Sequence, residues 1–176
     1  MFEKIKKTKP YPIALLTVVV LVSVSLLMAL NSVTSPVIET RREEEIMIML
    51  EDIFPQMTDF IFEDDMYYIL EEGQEIGHAF IARGTGYGGE ISIMVGLDTD
   101  LTIKDISIIT HTETPGLGSK IEEEEFTSQF RGLDMPQLAL SRDQGQIDAI
   151  TGATVSSEAV ALAIREEMEQ RLKVIE

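Results

Sequence analysis

Glu90–Asp98 reads EISIMVGLD, in which Ile91, Ile93, Val95 and Leu97 alternate with Ser92, Met94 and Gly96. A period of two over this length predicts a strand with one buried face. Asp98-Thr99-Asp100 then reads as a turn, and Thr102–Ile109 as a second strand. Upstream, Met66–Leu70 and Ile76–Ala82 flank the turn Glu71-Glu72-Gly73-Gln74, so residues 60–110 read as an antiparallel meander. Helical patterns lie on both sides of it. Pro36 can open one over Val37–Asp52, with Ile46, Met49, Leu50 and Ile53 at helical spacing and the run Ile46–Leu50 expected in the core. Ser119–Phe130 reads as another, with Ile121, Phe126 and Phe130 as its apolar residues and the acidic run Glu122–Glu125 as a solvated face. Ser156–Lys173 reads as the last, with Val160, Ala163, Ile164, Met168 and Leu172 on one side, and 132–149 reads as irregular. Strands grouped between helices, without alternating βαβ units, make an α+β domain.

The composition narrows the chemistry. With 176 residues the chain has room for one domain. The absence of cysteine excludes disulfides, thiolate metal sites, cysteine-ligated iron–sulfur clusters and a cysteine nucleophile. Two histidines are too few for a His-rich metal site. A net charge of −17 argues against nucleic acid, whose phosphates call for Lys and Arg.

That charge is unevenly placed. Residues 1–30 carry four lysines (Lys4, Lys6, Lys7 and Lys9) against Glu3, which leaves ten basic and thirty acidic residues for the rest. Ile13–Leu30, IALLTVVVLVSVSLLMAL, is uncharged, and as a helix it would span about 27 Å, close to a hydrocarbon core. It lacks a small-x-small cleavage site, so it is expected to remain as an anchor over 13–33. The lysines that precede it predict a cytoplasmic N-terminus over 1–12 and place 34–176 on the extracytoplasmic face of the cell membrane.

Three loops carry residue types unusual for plain connectors. Gly84-Thr85-Gly86-Tyr87-Gly88-Gly89 packs four glycines into six residues between two strands, which lets backbone N–H groups approach a ligand. His111–Lys120, HTETPGLGSK, leaves a strand and enters a helix; Pro115-Gly116 suits a type II turn and Ser119 can cap. Asp148–Ser157, DAITGATVSS, ends where the last helix begins. Unpaired N–H groups and the positive end of the helix dipole make an anion site there, with Thr154, Ser156 or Ser157 able to cap.

HTETPGLGSK and DAITGATVSS together resemble the two hallmark motifs of the RnfG/NqrC-type FMN-binding domain family, the shorter chain being more like RnfG. The resemblance spans residue 1 to about residue 173: anchor, meander, both motifs and terminal helix. It implies a single N-terminal transmembrane helix followed by an antiparallel-sheet FMN-binding domain with flanking helices. It further implies FMN joined covalently through a phosphoester to Thr154, the last residue of the Gly152-Ala153-Thr154 triplet. Val155 stands where many members have Ser or Thr, a departure that leaves the attachment residue in place. Glu113, Thr114, Pro115, Gly116, Leu117 and Gly118 are implied to border the ring and ribityl chain, Leu117 by apolar contact. Tyr87, Gly88 and Gly89 would line the opposite side, Thr151, Gly152, Ala153 and Ser156 would surround the attachment point, and Lys120 would balance a reduced, anionic flavin. Asp148 is implied to be read during attachment. His78 is expected to be an exposed structural residue, and the role of His111 is left open.

The function so implied is that of an electron-carrying member of a membrane ferredoxin:NAD+ oxidoreductase complex coupled to Na+ or H+ transport. Its expected partners are the other membrane proteins of that complex and, during maturation, a flavin transferase. Two alternatives stay open: an NqrC-like component of a Na+-translocating NADH:quinone reductase, and a membrane-anchored sensory module with noncovalent flavin. No catalytic acid, base or metal of its own is expected, because the flavin carries the redox chemistry.

Overall fold

In a computed structural model the backbone is described for residues 10–175; for 10–12, 29–43 and 172–175 the backbone alone is described. The chain divides into two compact units, Met1–Ile46 and Met47–Glu176. Helix α1 runs Pro10–Ile53 without the break expected at Pro36. The side chains of its apolar stretch from Ile13 to Met28 are exposed. Among the described residues no helix is long and apolar enough to cross a membrane. The expected anchor over 13–33 continues past that stretch into side chains that lie outside the described ones, as does the lysine-bearing segment 1–9.

The second unit is built on one five-stranded antiparallel sheet in the order β1-β2-β3-β4-β5, a plain meander. The strands are β1 Asp59–Glu63, β2 Met66–Glu71, β3 Gln74–Thr85, β4 Glu90–Asp98 and β5 Ile103–His111. The turn between β2 and β3 is made by Glu72 and Gly73, both with positive φ. Strand β4, in the middle of the pattern that predicted the sheet, is buried on both faces rather than one, since Ile91 through Leu97 are all buried. On one side Ile91, Ile93, Val95 and Leu97 join the main core with Phe80, Ala82 and the residues of helix α3, Thr154–Ile175. On the other side the end of α1 covers the sheet.

That second cover depends on two missing side chains. Phe54, 1% exposed, lies over Gly77 of β3 and Gly96 of β4. A Cβ at 77 would come within 2.6 Å of the Phe54 ring, and one at 96 within 3.0 Å. The Lys104 ammonium sits 5.4 Å from the centre of the same ring. Leu50 and Ile53 are buried with it, whereas Met47 and Ile48 are exposed, so the run Ile46–Leu50 enters the core at one end only.

The helix expected over Ser119–Phe130 is divided. A 3-10 turn at Gly118–Glu122 is followed by Glu123 in extended conformation (φ −73°, ψ 140°), then by the four-residue helix α2, Glu124–Thr127, and a second 3-10 turn at Ser128–Phe130. Breaking the segment lets Ile121, Phe126 and Phe130 all point into the core, the two rings meeting edge-on at 5.4 Å. Glu122–Glu125 remain exposed, as expected. Arg131 then ties the end of the segment to β5, bonding Asp105 and Glu124, which raises the pKa of its guanidinium. His78 is not exposed. It is 7% exposed on β3, edge-on to Tyr68, with Nε2 3.2 Å from Glu75, and Nδ1 has no partner among the described residues. Its neighbours Phe80 and Ala82 are core residues at the same strand parity, and β2 covers it from the side through the Tyr68 pairing.

Removal of the Phe54 ring should leave a cavity over the two glycines. Phe54→Ala is expected to cost about 3–5 kcal/mol, read as a lower midpoint in denaturant unfolding followed by circular dichroism. An unchanged midpoint would show that α1 does not need this contact to cover the sheet.

Candidate functional site

The three loops singled out in the sequence meet at one end of the sheet. The first continues β3 into β4: Gly86 N–H donates to Gly89 O at 2.8 Å, closing a four-residue turn with Tyr87 at its tip, 78% exposed. The second leaves β5. Leu117 N–H bonds Thr114 O at 3.2 Å, and Gly116 has φ +75°, as a type II turn with glycine at its third position requires. Ser119 does not cap a helix; its Oγ accepts from Gly116 N–H at 2.9 Å and locks the turn. The third loop runs into α3.

Glu113 joins all three. It is 5% exposed. Its Oε1 accepts the Gly88 N–H at 3.0 Å, from the first loop, and its Oε2 accepts the Ser156 hydroxyl at 2.6 Å, from the first turn of α3. Its own N–H donates to His111 Nδ1 at 3.0 Å, while His111 Nε2 meets Glu122 at 2.8 Å. Two glycines make room for the carboxylate. A Cβ at Gly118 would lie 2.8 Å from Oε2, and one at Gly86 would collide with Oε1. Thr112 Oγ1 donates to Gly88 O at 3.0 Å and stitches the first two loops a second time.

The last helix begins at Thr154, two residues earlier than its sequence pattern indicated. Ser157 sets that start. Its Oγ accepts the Ile150 N–H and donates to Ala153 O, both at 3.0 Å, and its N–H makes the bond to Ala153 O. The N–H groups of Thr154, Val155 and Ser156 precede that first full-turn bond, the position at which a helix leaves its donors free for an anion. Thr154 itself is half-buried.

Between the loops lies an open cavity of about 470 Å³. Tyr87, Glu113, Thr114, Leu117 and Gly118 form one side, and Gly152, Ala153, Thr154, Val155 and Ser156 the other. Gly152, with φ +83°, lets the third loop pass close to Leu117, whose Cδ1 would be 3.0 Å from a Cβ there. Most residues read from the two motifs are therefore together, and Val155, read only as a departure, lines the cavity as well. Others are not. Lys120 and Thr151 line a neighbouring cleft of about 260 Å³ with Asp148, Glu123, Phe126 and Gln129. The extended Glu123 that breaks the expected helix turns this stretch away from the main cavity. Gly88 contributes its N–H to Glu113, Gly116 its turn, and Gly89 (φ +144°) the end of the first loop; none of the three lines the cavity. Asp148 is held by the Ser141 hydroxyl at 2.6 Å and by Gln129, whose Oε1 accepts its N–H at 2.7 Å. What the sequence did not disclose is that Glu113 would be buried. An acid among glycines and hydroxyls was the only signal.

Residues 86–169, which contain all three loops except the start of the first, match the FMN-binding domain family. The RnfG component of the proton-translocating ferredoxin:NAD(+) oxidoreductase complex of Clostridium ljungdahlii is 30% identical over 161 residues, covering 88% of this chain and 87% of that protein. The chain belongs to the RnfG family. A second member, the corresponding component of the ion-translocating oxidoreductase complex of Methanosarcina acetivorans, is 31% identical over 166 residues, with 86% and 88% covered. The RnfG fold described above also resembles the crystal structure of Shewanella oneidensis NqrC, with a TM-score of 0.50 at 18% identity over 69% of this chain and 73% of that one.

Loss of the Ser156 hydroxyl would leave one oxygen of a buried carboxylate without its donor. Ser156→Ala is expected to lower stability by about 1–3 kcal/mol, measured as a fall in melting temperature. A melting temperature equal to that of the parent would mean that the three-loop junction is not held through this bond.

Proposed function

We propose that this member of the RnfG family carries FMN in the cavity between the three loops, attached through a phosphoester to Thr154, and relays electrons within a membrane ferredoxin:NAD+ oxidoreductase coupled to Na+ or H+ transport. The observation that carries this reading is the position of Thr154: a half-buried hydroxyl on the cavity wall, on the first residue of a 22-residue helix. The residues present fit the group. A phosphate at Thr154 would meet the free N–H groups of the first turn and the positive end of the helix dipole. Gly152 keeps the backbone bare of side chain beside it, and Leu117 and Val155, both exposed at the cavity, supply apolar surface for a planar ring.

Covalent attachment also suits the charge of the chain. A phosphodiester carries one negative charge where a free phosphate monoester carries nearly two, an advantage in a chain with a net charge of −17. The tether keeps the local concentration of the group high, so the cavity has only to orient it. When bound, FMN accepts and donates electrons singly or in pairs. The protein supplies position: Glu113 holds the loops together, Ser157 sets the helix start, and the Thr114–Leu117 turn shapes the wall.

The reading extends to the membrane. The run Ile13–Leu30 would serve as a single-pass anchor, with the lysine-bearing N-terminus in the cytoplasm and the cavity on the extracytoplasmic face, beside the other membrane proteins of the complex. A flavin transferase would act there during maturation, and tethering would keep the flavin from being lost to dilution.

The test is a denaturing gel under ultraviolet light, with the full chain co-produced with a flavin transferase and Thr154→Ala run beside it. The expected result is a fluorescent band that the substitution abolishes. Flavin that leaves the wild-type chain on denaturation would replace attachment with noncovalent binding.

A further inference from the structure

We propose that Glu113 sets the electrical character of the cavity: its buried carboxylate opposes the arrival of negative charge and so lowers the reduction potential of the flavin held there. The inference rests on the reading of the cavity as the FMN site and adds a property to it.

The sequence pointed the other way, since Lys120 stood in the second loop as a cation able to balance a reduced flavin. The structure puts Lys120 on the neighbouring cleft. Among the residues that line the main cavity there is no lysine, arginine or histidine, and the one ionisable carboxyl group is Glu113. His111 does not compensate, because its Nδ1 takes the Glu113 N–H and its Nε2 is engaged by Glu122. Both Glu113 oxygens act as acceptors, from Gly88 N–H and from the Ser156 hydroxyl, which is the hydrogen-bonding capacity of a carboxylate. At 5% exposure the group has little water around it, and its field is screened less than that of a surface carboxylate. The positive end of α3 acts at Thr154, on the phosphate, and falls off within a turn.

The charge balance follows. Two electrons added to the oxidised ring with one proton leave one net negative charge in the cavity, whereas two electrons with two protons leave none. The electrons come from the donor and the protons from solvent. A carboxylate fixed nearby makes the first outcome costlier, so the flavin is harder to reduce than it would be beside a neutral group. Such a site suits a carrier that passes electrons on rather than holding them.

The experiment is a spectroelectrochemical titration of the flavin-loaded full chain in detergent at alkaline pH, comparing wild type, Glu113→Gln and Ser156→Ala. Glu113→Gln keeps an acceptor for Gly88 and an amide for Ser156 but removes the charge, and the potential is expected to move positive. Ser156→Ala keeps the charge and removes a donor that partly offsets it, and the potential is expected to move negative. Loss of packing alone would move the two variants in the same direction or not at all, and either result overturns the proposal. If Glu113→Gln takes up no flavin, the direction of Ser156→Ala decides, a positive or absent shift counting against it. Attachment is scored separately from the denatured band. Wild-type protein with noncovalent FMN fails the attachment reading and still yields the three potentials, whereas a chain that holds no flavin in either form overturns both.

Discussion

A single buried carboxylate holds the functional end of this domain together. Glu113 leaves β5 at the edge of the sheet, receives an N–H from the loop between β3 and β4, and receives a hydroxyl from the first turn of α3. These partners are 25 and 43 residues away in the chain. Burial of a charge without donors would cost several kcal/mol, and loops without a common partner would have little reason to converge. Here each needs the other. The carboxylate obtains two charge-assisted hydrogen bonds, and the loops obtain a fixed junction that leaves an open cavity beside it.

The surrounding residues are arranged to admit that group. Glycine at 86 and 118 clears the volume the carboxylate occupies, so the glycine content of the loops serves a side chain of the protein at least as much as a ligand. Helix α3 ties the junction to the core through Val160, Ile164 and Met168, all buried. Its small residues allow close approach to β3, where a Cβ at Gly84 would meet Ala159 O at 2.8 Å and Ala163 Cβ at 2.9 Å. The position of Thr154 is therefore fixed from two ends, by Ser157 and the core on one side and by Ser156 and Glu113 on the other.

Much of this was legible from local pattern. The alternation through Ile91–Leu97, the Glu72-Gly73 turn and the amphipathic face of α3 depend on neighbours in sequence, and each element formed where its pattern lay. The gathering of the two motifs at one cavity was legible through their resemblance to a known family. Burial on a second face was not legible, because Ser92, Met94 and Gly96 look like the solvent side of a strand until the end of α1 is laid over them. The helix expected at 119–130 failed for a related reason: three apolar residues could reach the core only if the segment broke at Glu123, a tertiary demand that overrides spacing. Lys120 and His78 were misplaced because side-chain direction depends on that break and on the covering strand. Charge and polarity name a residue's chemistry without saying which way it faces.

The two glycines beneath Phe54 lie on different strands, yet they form one surface. Gly77 pairs with Asp98 and Gly96 with Ala79, so the ring spans adjacent registers of the β3–β4 ladder and would report a slip of either strand past the other. An aromatic ring over paired strands' glycines acts as a gauge of alignment. A slip that kept each face of the sheet would bring Ala79 or Met94 under the ring, and neither leaves the space. The energies of positions 54, 77 and 96 are consequently not separable. A larger side chain at either glycine requires a smaller one at 54, and the three sites constitute one unit of inheritance within the fold.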